Sequence, residues 1–247
     1  GGTSRSEKKQ KEGCKEKVMW WWRYLWQRGD KPAWVEKGES LRAYSRRGRE
    51  IDQIILHESV TSTSAGAVKV LKKRKLGVHF SIDRNEEATT RIHVPVDKAC
   101  SHAGGGHNLR SVGIEIANSY YGSRAKDDDT TITAVWAHKK SYILPLESQM
   151  INLFRLIIWL VIYTDAKISF PGYNKADESF RWGRIGEHEV PGIMAHHRFH
   201  HADGLFAEHY TLLRSKGFDH KEAWGKTVRA ASSGDRTTHE TMGARNA

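Results

Sequence analysis

The sequence predicts an α/β domain, because short β-branched runs alternate along the chain with longer helical patterns. Residues 51–57 (Ile-Asp-Gln-Ile-Ile-Leu-His) and 111–118 (Ser-Val-Gly-Ile-Glu-Ile-Ala-Asn) are short and strongly apolar, as buried strands are. Residues 147–164 are apolar on most faces and long enough for a buried core helix. A third observation is a histidine-rich stretch, residues 192–204. Its histidines follow the apolar residues Val190, Ile193 and Met194, and it ends in Asp-Gly, which is typical of a strand that continues into a loop.

Composition bounds the number of domains and the kind of partner. The 247 residues are enough for one domain of about 150–200 residues with extensions. Lysine and arginine total 40 against 29 acidic residues, and the net charge of +11 favours polyanionic partners. We expect no specific nucleic-acid binding, since no recognition motif accompanies the charge. The two cysteines, Cys14 and Cys100, are too few for a disulfide framework and form no Cys-x-x-Cys zinc motif.

Both ends of the chain differ in composition from its middle. Residues 1–47 are predicted to be a basic, tryptophan-rich extension, disordered over residues 1–17. Its aromatic part either packs on the domain as a helix or forms an amphipathic segment that binds at a membrane interface. The domain is expected to span residues 48–226, and residues 227–247 are predicted to be a disordered tail. No apolar stretch reaches the ~20 residues of a membrane span, and we recognise no signal peptide, so we expect cytoplasmic synthesis.

Between the two predicted strands, local signals indicate a helix, a hairpin and a loop. Ser62 or Ser64 is expected to cap a helix that continues to about Lys75, whose last turn is basic. Residues 78–83 and 89–94 read as a hairpin, and residues 100–107 as a glycine-rich loop. Residues 120–144 and 170–189 are predicted to be polar surface segments. Residues 206–216 are predicted to form one more helix.

The histidine-rich stretch offers metal ligands. Four of the fourteen histidines lie between positions 196 and 201, and Asp203 follows. Imidazole and carboxylate are the usual ligands of a catalytic zinc. The stretch is not the helical His-Glu-x-x-His motif, because glutamate is missing from its second position. Taken alone, it is equally compatible with a histidine-rich surface loop, and a metal site needs partners elsewhere in the chain.

Four segments in order resemble a known family. They are Ile-Ile-Leu-His57, Val-His79-Phe-Ser-Ile-Asp, Ser-His102-Ala-Gly-Gly-Gly with Ser-Val-Gly-Ile-Glu115, and Ala-His196-His-Arg-Phe-His-His-Ala-Asp203-Gly. Together they resemble the type-2 N-acetylmuramoyl-L-alanine amidases, which include phage lysins, bacterial wall-recycling amidases and animal peptidoglycan recognition proteins. The resemblance extends over residues 50–218 and implies a single domain with a mixed central sheet flanked by helices, with the zinc site at one rim.

The resemblance also implies roles for particular residues. The zinc ligands would be His57, His196 and Asp203, and a fourth position would stay open for water. Glu115 matches the family's catalytic glutamate, and His102 matches a histidine at the substrate cleft. His201 occupies a position where many members carry a catalytic lysine. The loop from His196 to Asp203 is shorter than in other members, so His197 or His200 remains an alternative ligand.

The implied function is hydrolysis of the amide between N-acetylmuramic acid and L-alanine in peptidoglycan. A monomeric phage endolysin or bacterial wall-degrading enzyme, acting at the cell wall, is expected. The alternative is a peptidoglycan-recognition module that binds the wall without cutting it. Asp203 argues against that alternative, since the non-catalytic branch carries a serine at the third ligand position.

Overall fold

The computed structural model describes residues 31–164, 166, 168–173, 179–181, 190–198 and 203–232. The chain divides into two compact units, residues 1–33 and residues 34–247, and every element named below belongs to the second. The predicted disorder of residues 1–17 and the aromatic cluster from Trp20 to Trp26 lie outside the described residues. No helix in the described ranges is long and apolar enough to cross a membrane.

A six-stranded mixed sheet forms the centre of the domain, as the sequence predicts. The strand order is β1-β5-β4-β7-β3-β10, and within it β4 and β5 are antiparallel while the other neighbouring pairs are parallel. Two further pairs, β2 with β6 and β8 with β9, form small antiparallel sheets. The strands are β1 Glu36–Lys37, β2 Tyr44–Ser45, β3 Gln53–Glu58, β4 Phe80–Ile82, β5 Thr90–Ile92, β6 Lys98–Ala99, β7 Ser111–Ile116, β8 Thr131–Thr133, β9 Ser141–Ile143 and β10 Gly192–Ala195.

Helices flank the sheet. They are α1 Ser64–Lys73, α2 His107–Arg110, α3 Glu147–Thr164, α4 Leu205–Ser215 and α5 His220–Ser232. The first is capped by Thr63, whose hydroxyl accepts a hydrogen bond from the Gly66 N–H, and not by either predicted serine. A hydroxyl one residue away serves the same purpose, so the prediction was right about the helix and wrong about the cap.

Packing of α3 identifies the two faces of the sheet. Trp159 of α3 meets Phe80 of β4 edge to face, with ring centroids 6.1 Å apart, and both side chains are buried. Successive side chains of a strand point to opposite faces. Ser81, and the residues paired with it across the sheet, therefore point away from α3.

The predicted start of the domain at residue 48 is wrong. Strand β1 joins the main sheet beside β5, and β2 pairs with β6. Arg46 is buried, and its guanidinium donates to the backbone carbonyls of Val96, Leu109 and Ser111. Residues 34–47 thus belong to the domain. The two strands have two residues each, too short for the alternation by which a strand is recognised in a sequence.

The predicted disordered tail begins too early. Helix α5 continues to Ser232, six residues into the segment 227–247. Its buried side chains Ala223, Thr227 and Ala231 are spaced by four residues and so share one helical face. The indole N–H of Trp136, which lies between β8 and β9, donates to the carbonyl of Ala231. This hydrogen bond holds the last turn of α5 against the β8–β9 segment. Residues 233–247 lie outside the described residues.

Candidate active site

Strand register places three of the predicted site residues, His57, Glu115 and His196, in one row across the sheet. His57 of β3 stands opposite Glu115 of β7, which stands opposite Ser81 of β4. On the other side, Ala195 of β10 pairs with Leu56, and His196 is the next residue along the chain. Partners in neighbouring parallel strands point to the same face. The row lies at the carboxyl ends of the parallel strands, where open α/β sheets bind ligands.

His57, His196 and Asp203 come together as the sequence predicts. One potential ligand atom from each lies within 4.8 Å of the other two, and all three side chains are buried. His57 Nδ1 is 3.7 Å from Asp203 Oδ2, and His196 Nδ1 is 3.3 Å from Asp203 Oδ1. Tetrahedral zinc with bonds of about 2.0–2.1 Å separates its ligand atoms by roughly 3.3–3.4 Å. The donor set and its spacing therefore fit zinc.

Gly204 permits the chain to bring Asp203 to this position. Its φ is +82°, in the left-handed region, and a Cβ there would lie 2.3 Å from the carbonyl oxygen of Leu56. The backbone therefore passes directly over the end of β3. No other residue fits at this position without displacing the strand end or the loop.

A buried carboxyl next to His57 holds the same loop and was not singled out from the sequence. Glu58 Oε2 accepts the Gly204 N–H at 2.9 Å. Glu58 Oε1 accepts from the hydroxyl of Tyr142 at 2.5 Å and from the amide of Asn118 at 2.9 Å. Burial raises the pKa of Glu58, while these hydrogen bonds oppose the shift. In the sequence, Glu58 is marked only as an acidic residue that directly follows the apolar run ending at His57.

Glu115 is partly buried and its pKa is raised to about 8. Loss of hydration is the largest cause, and the neighbouring charges of Asp203 and Glu58 add to it. A carboxyl with such a pKa both gains and loses a proton near neutral pH, as a general acid/base requires.

His102 lies directly behind His57. Its Nδ1 is 3.0 Å from His57 Nε2, and its Nε2 is 3.0 Å from the hydroxyl of Ser111. His102 therefore contacts one of the predicted metal ligands, His57, and does not itself belong to that group of three. Its assignment to substrate binding stays a prediction.

The alternative ligands of the histidine-rich stretch are only partly described. His197 donates its backbone N–H to the carbonyl oxygen of Asp203 at 3.1 Å. Within the described ranges, its side chain belongs to neither group of residues able to hold a metal. His200 and His201 lie outside these ranges, so their roles stay predictions.

A second group of potential ligands, His79, Cys100 and His102, is better explained as structural. His79 Nδ1 already accepts the Gly113 N–H at 3.0 Å, and its Nε2 lies 2.9 Å from the Arg46 guanidinium. Burial raises the pKa of the Cys100 thiol to about 12, so the thiol stays protonated. An occupied lone pair, a neutral thiol and an adjacent cation all disfavour a metal ion here.

The site combines two imidazoles and a carboxylate at the rim of the sheet with a second carboxyl in register beside them. This is the set of residue types found in zinc hydrolases. The family model described as N-acetylmuramoyl-L-alanine amidase matches residues 47–169. The matched segment belongs to this family. The matched segment contains His57, His102 and Glu115 but ends before His196 and Asp203, which the structure adds to the site. No curated protein matches the chain.

Solved structures with partial similarity include amidases and lysins. The hydrolase AmiA of Staphylococcus aureus, solved in complex with its ligand, is 16% identical, with 81% of this chain and 84% of that chain covered and a TM-score of 0.43. The N-acetylmuramoyl-L-alanine amidase LysC from Clostridium intestinale is 19% identical over 55% and 79%, with a TM-score of 0.39. PlyL is 13% identical over 81% and 98%, with a TM-score of 0.43. The family assignment rests on the sequence match and not on these structures.

Proposed function

We propose that this protein is a zinc-dependent N-acetylmuramoyl-L-alanine amidase, which hydrolyses the amide between N-acetylmuramic acid and the first L-alanine of the peptide stem. The observation that carries the proposal is the buried group of His57, His196 and Asp203, with Glu115 in register beside His57. Family membership supplies the substrate class.

Amide hydrolysis needs an activated water, a polarised carbonyl and a proton for the leaving nitrogen. When bound by His57, His196 and Asp203, zinc supplies Lewis acidity toward the water and the carbonyl. Glu115 takes the proton from the attacking water and delivers it to the departing L-alanine nitrogen. Glu115 suits this role by its position, because it pairs with His57 across neighbouring parallel strands and therefore lies on the same face of the sheet.

Two further roles belong to the proposal. His201 is the donor to the oxyanion of the tetrahedral intermediate, at the position where many family members carry lysine. His102 contributes to the substrate cleft. We also propose that the protein acts as a monomer on the cell wall, as a phage endolysin or a bacterial wall-degrading enzyme. The net charge of +11 suits a wall that carries phosphate and carboxylate groups.

Mass spectrometry of purified peptidoglycan after incubation with the zinc-loaded protein tests the proposal. Cleavage of the proposed bond releases peptide stems with a free L-alanine amino group and leaves N-acetylmuramic acid with a free carboxyl group. Glu115→Gln is the matched control, since it keeps the size of the side chain and removes its proton transfer. Wall binding without release of stems would instead identify a recognition module.

A further inference from the structure

A chain of hydrogen bonds leads from the backbone of α2 to the predicted ligand His57. The hydroxyl of Ser111 donates to the carbonyl oxygen of His107 at 2.6 Å. The same hydroxyl oxygen lies 3.0 Å from Nε2 of His102, and Nδ1 of His102 lies 3.0 Å from Nε2 of His57. Every member of this chain is a buried or partly buried group.

Chemistry fixes the direction of each bond when the two imidazoles are neutral. A carbonyl oxygen can only accept, so the single proton of the Ser111 hydroxyl points to His107. The Ser111 oxygen must then accept the Nε2 proton of His102, which leaves His102 Nδ1 as an acceptor. His57 therefore donates its Nε2 proton, and its Nδ1 lone pair remains. That Nδ1 is the atom that faces Asp203 at 3.7 Å.

We propose that His102 is a positioning residue for the metal site: through Ser111 it holds His57 in the tautomer and ring orientation that aim Nδ1 at the metal position. This role deepens the proposed function and depends on its zinc site. A hydrogen bond from the far nitrogen of a ligating histidine fixes its tautomer and raises its basicity as a ligand. Here that acceptor is a second imidazole, whose own tautomer is set by a serine and a backbone carbonyl.

Packing around His102 supports a fixed ring. A Cβ on Gly113 would lie 2.6 Å from His102 Nδ1 and 2.8 Å from its Cε1. Gly113 is a strand residue of β7 without a left-handed φ, so its backbone does not require glycine. The absence of a side chain at 113 instead leaves the space that the His102 ring fills. Hydrogen bonds at both nitrogens and this close fit leave the ring one orientation.

Zinc affinity of the full chain, measured by competition with a chromophoric chelator, tests the proposal without relying on activity. His102→Phe keeps a ring and removes both nitrogens, and it is expected to weaken zinc binding by about 10–100-fold. His102→Gln can accept from His57 and donate to Ser111, so it is expected to recover most of that loss. His93→Phe is the matched control, because His93 is buried and bonded to Ser81 and to the Glu39 carbonyl.

A second readout uses nuclear magnetic resonance of the metal-free protein. The His57 Nε2 proton is expected as a slowly exchanging ring N–H signal in the wild type and in His93→Phe, and to be lost in His102→Phe. Should His102→Phe fail to fold, Ser111→Ala replaces it, and a weaker zinc affinity with faster exchange of the His102 Nε2 proton is expected.

Zinc affinity at the wild-type level in His102→Phe, or in Ser111→Ala if His102→Phe does not fold, would overturn the proposal. So would His102→Gln that binds zinc as weakly as His102→Phe. These outcomes are separate from the fate of the proposed function. If zinc binds and depends on His102 but no peptide stems are released, the positioning role stands and the amidase assignment fails.

Discussion

Glu58 accepts a hydrogen bond from the backbone N–H of Gly204, so the strand that carries one predicted ligand is tied to the loop that carries another. The other oxygen of the same carboxyl accepts from Tyr142, in the hairpin of β8 and β9. Three segments distant in the sequence therefore meet at one buried carboxyl. We expect the distance between His57 and Asp203 to depend on this junction.

The first prediction is that Glu58→Gln weakens the fold and zinc binding together. The amide replaces one acceptor oxygen by a donor, so either the Gly204 N–H or the Asn118 side-chain N–H meets a donor in place of its acceptor in a buried site. Such a loss costs about 1–3 kcal/mol. Thermal unfolding with and without zinc measures both effects. Tyr142→Phe, which removes one hydrogen bond and keeps the ring, is expected to cost less. Unchanged unfolding and zinc affinity in Glu58→Gln would show that the junction does not support the site.

The second prediction separates steric contact from backbone conformation at Gly204. Gly204→Ala brings a Cβ to 2.3 Å from the Leu56 carbonyl oxygen, in addition to the cost of a left-handed φ. Gly217→Ala is the control, since Gly217 also has a positive φ but a Cβ there meets nothing within 4 Å. The control is expected to lose about 1–2 kcal/mol of unfolding free energy, and Gly204→Ala distinctly more, together with zinc affinity. Equal losses in the two variants would mean that the loop can move away from β3.

The third prediction follows from the raised pKa of Glu115 in the metal-free protein. The folded state holds this proton up to about pH 8, whereas the unfolded chain releases it near the ordinary value of 4.5. At Glu115 the folded state thus binds more protons in that window, and the contribution of this residue to stability falls as pH rises from 4.5 to 8. Glu115→Gln has no such proton to lose. Its unfolding free energy relative to wild type is expected to rise across the window, by roughly 5 kcal/mol for a pKa shift from 4.5 to about 8.

Chemical denaturation of both proteins in the presence of a chelator, at several pH values between 4 and 9, measures this difference. A difference that stays constant with pH would mean that the pKa of Glu115 is the same in the folded and unfolded states.

The fourth prediction concerns His201, which lies outside the described residues. Removing one oxyanion donor costs about 10²–10³ in turnover, so His201→Ala is expected to lose activity on that scale and to retain zinc. His201→Lys is expected to stay active and to extend activity to more alkaline pH, because lysine keeps its charge above the pKa of histidine, ~6.5. Paired pH–rate profiles decide this. Wild-type rates in His201→Ala between pH 5 and 9 would make His201 a bystander.

The sequence was most informative where one short segment carries both a structural and a chemical signal. His57 ends an apolar β-branched run, and Glu115 lies between two isoleucines, so each segment predicted a strand and a candidate site residue together. The partners of Glu58 could not be found in this way. Tyr142 is 84 residues away, and nothing in either segment specifies the other. The role of β1 was equally hidden, since a two-residue strand acquires its place only by pairing with β5.

Glu115 is proposed to transfer protons at a zinc site that it does not itself form. Turnover of peptidoglycan and zinc content, measured on the same samples of wild type and Glu115→Gln, test this most directly. We predict one zinc per chain in both proteins and a loss of turnover in Glu115→Gln of about 10²-fold or more. Turnover near the wild-type level in a zinc-loaded Glu115→Gln variant would show that Glu115 does not transfer the proton.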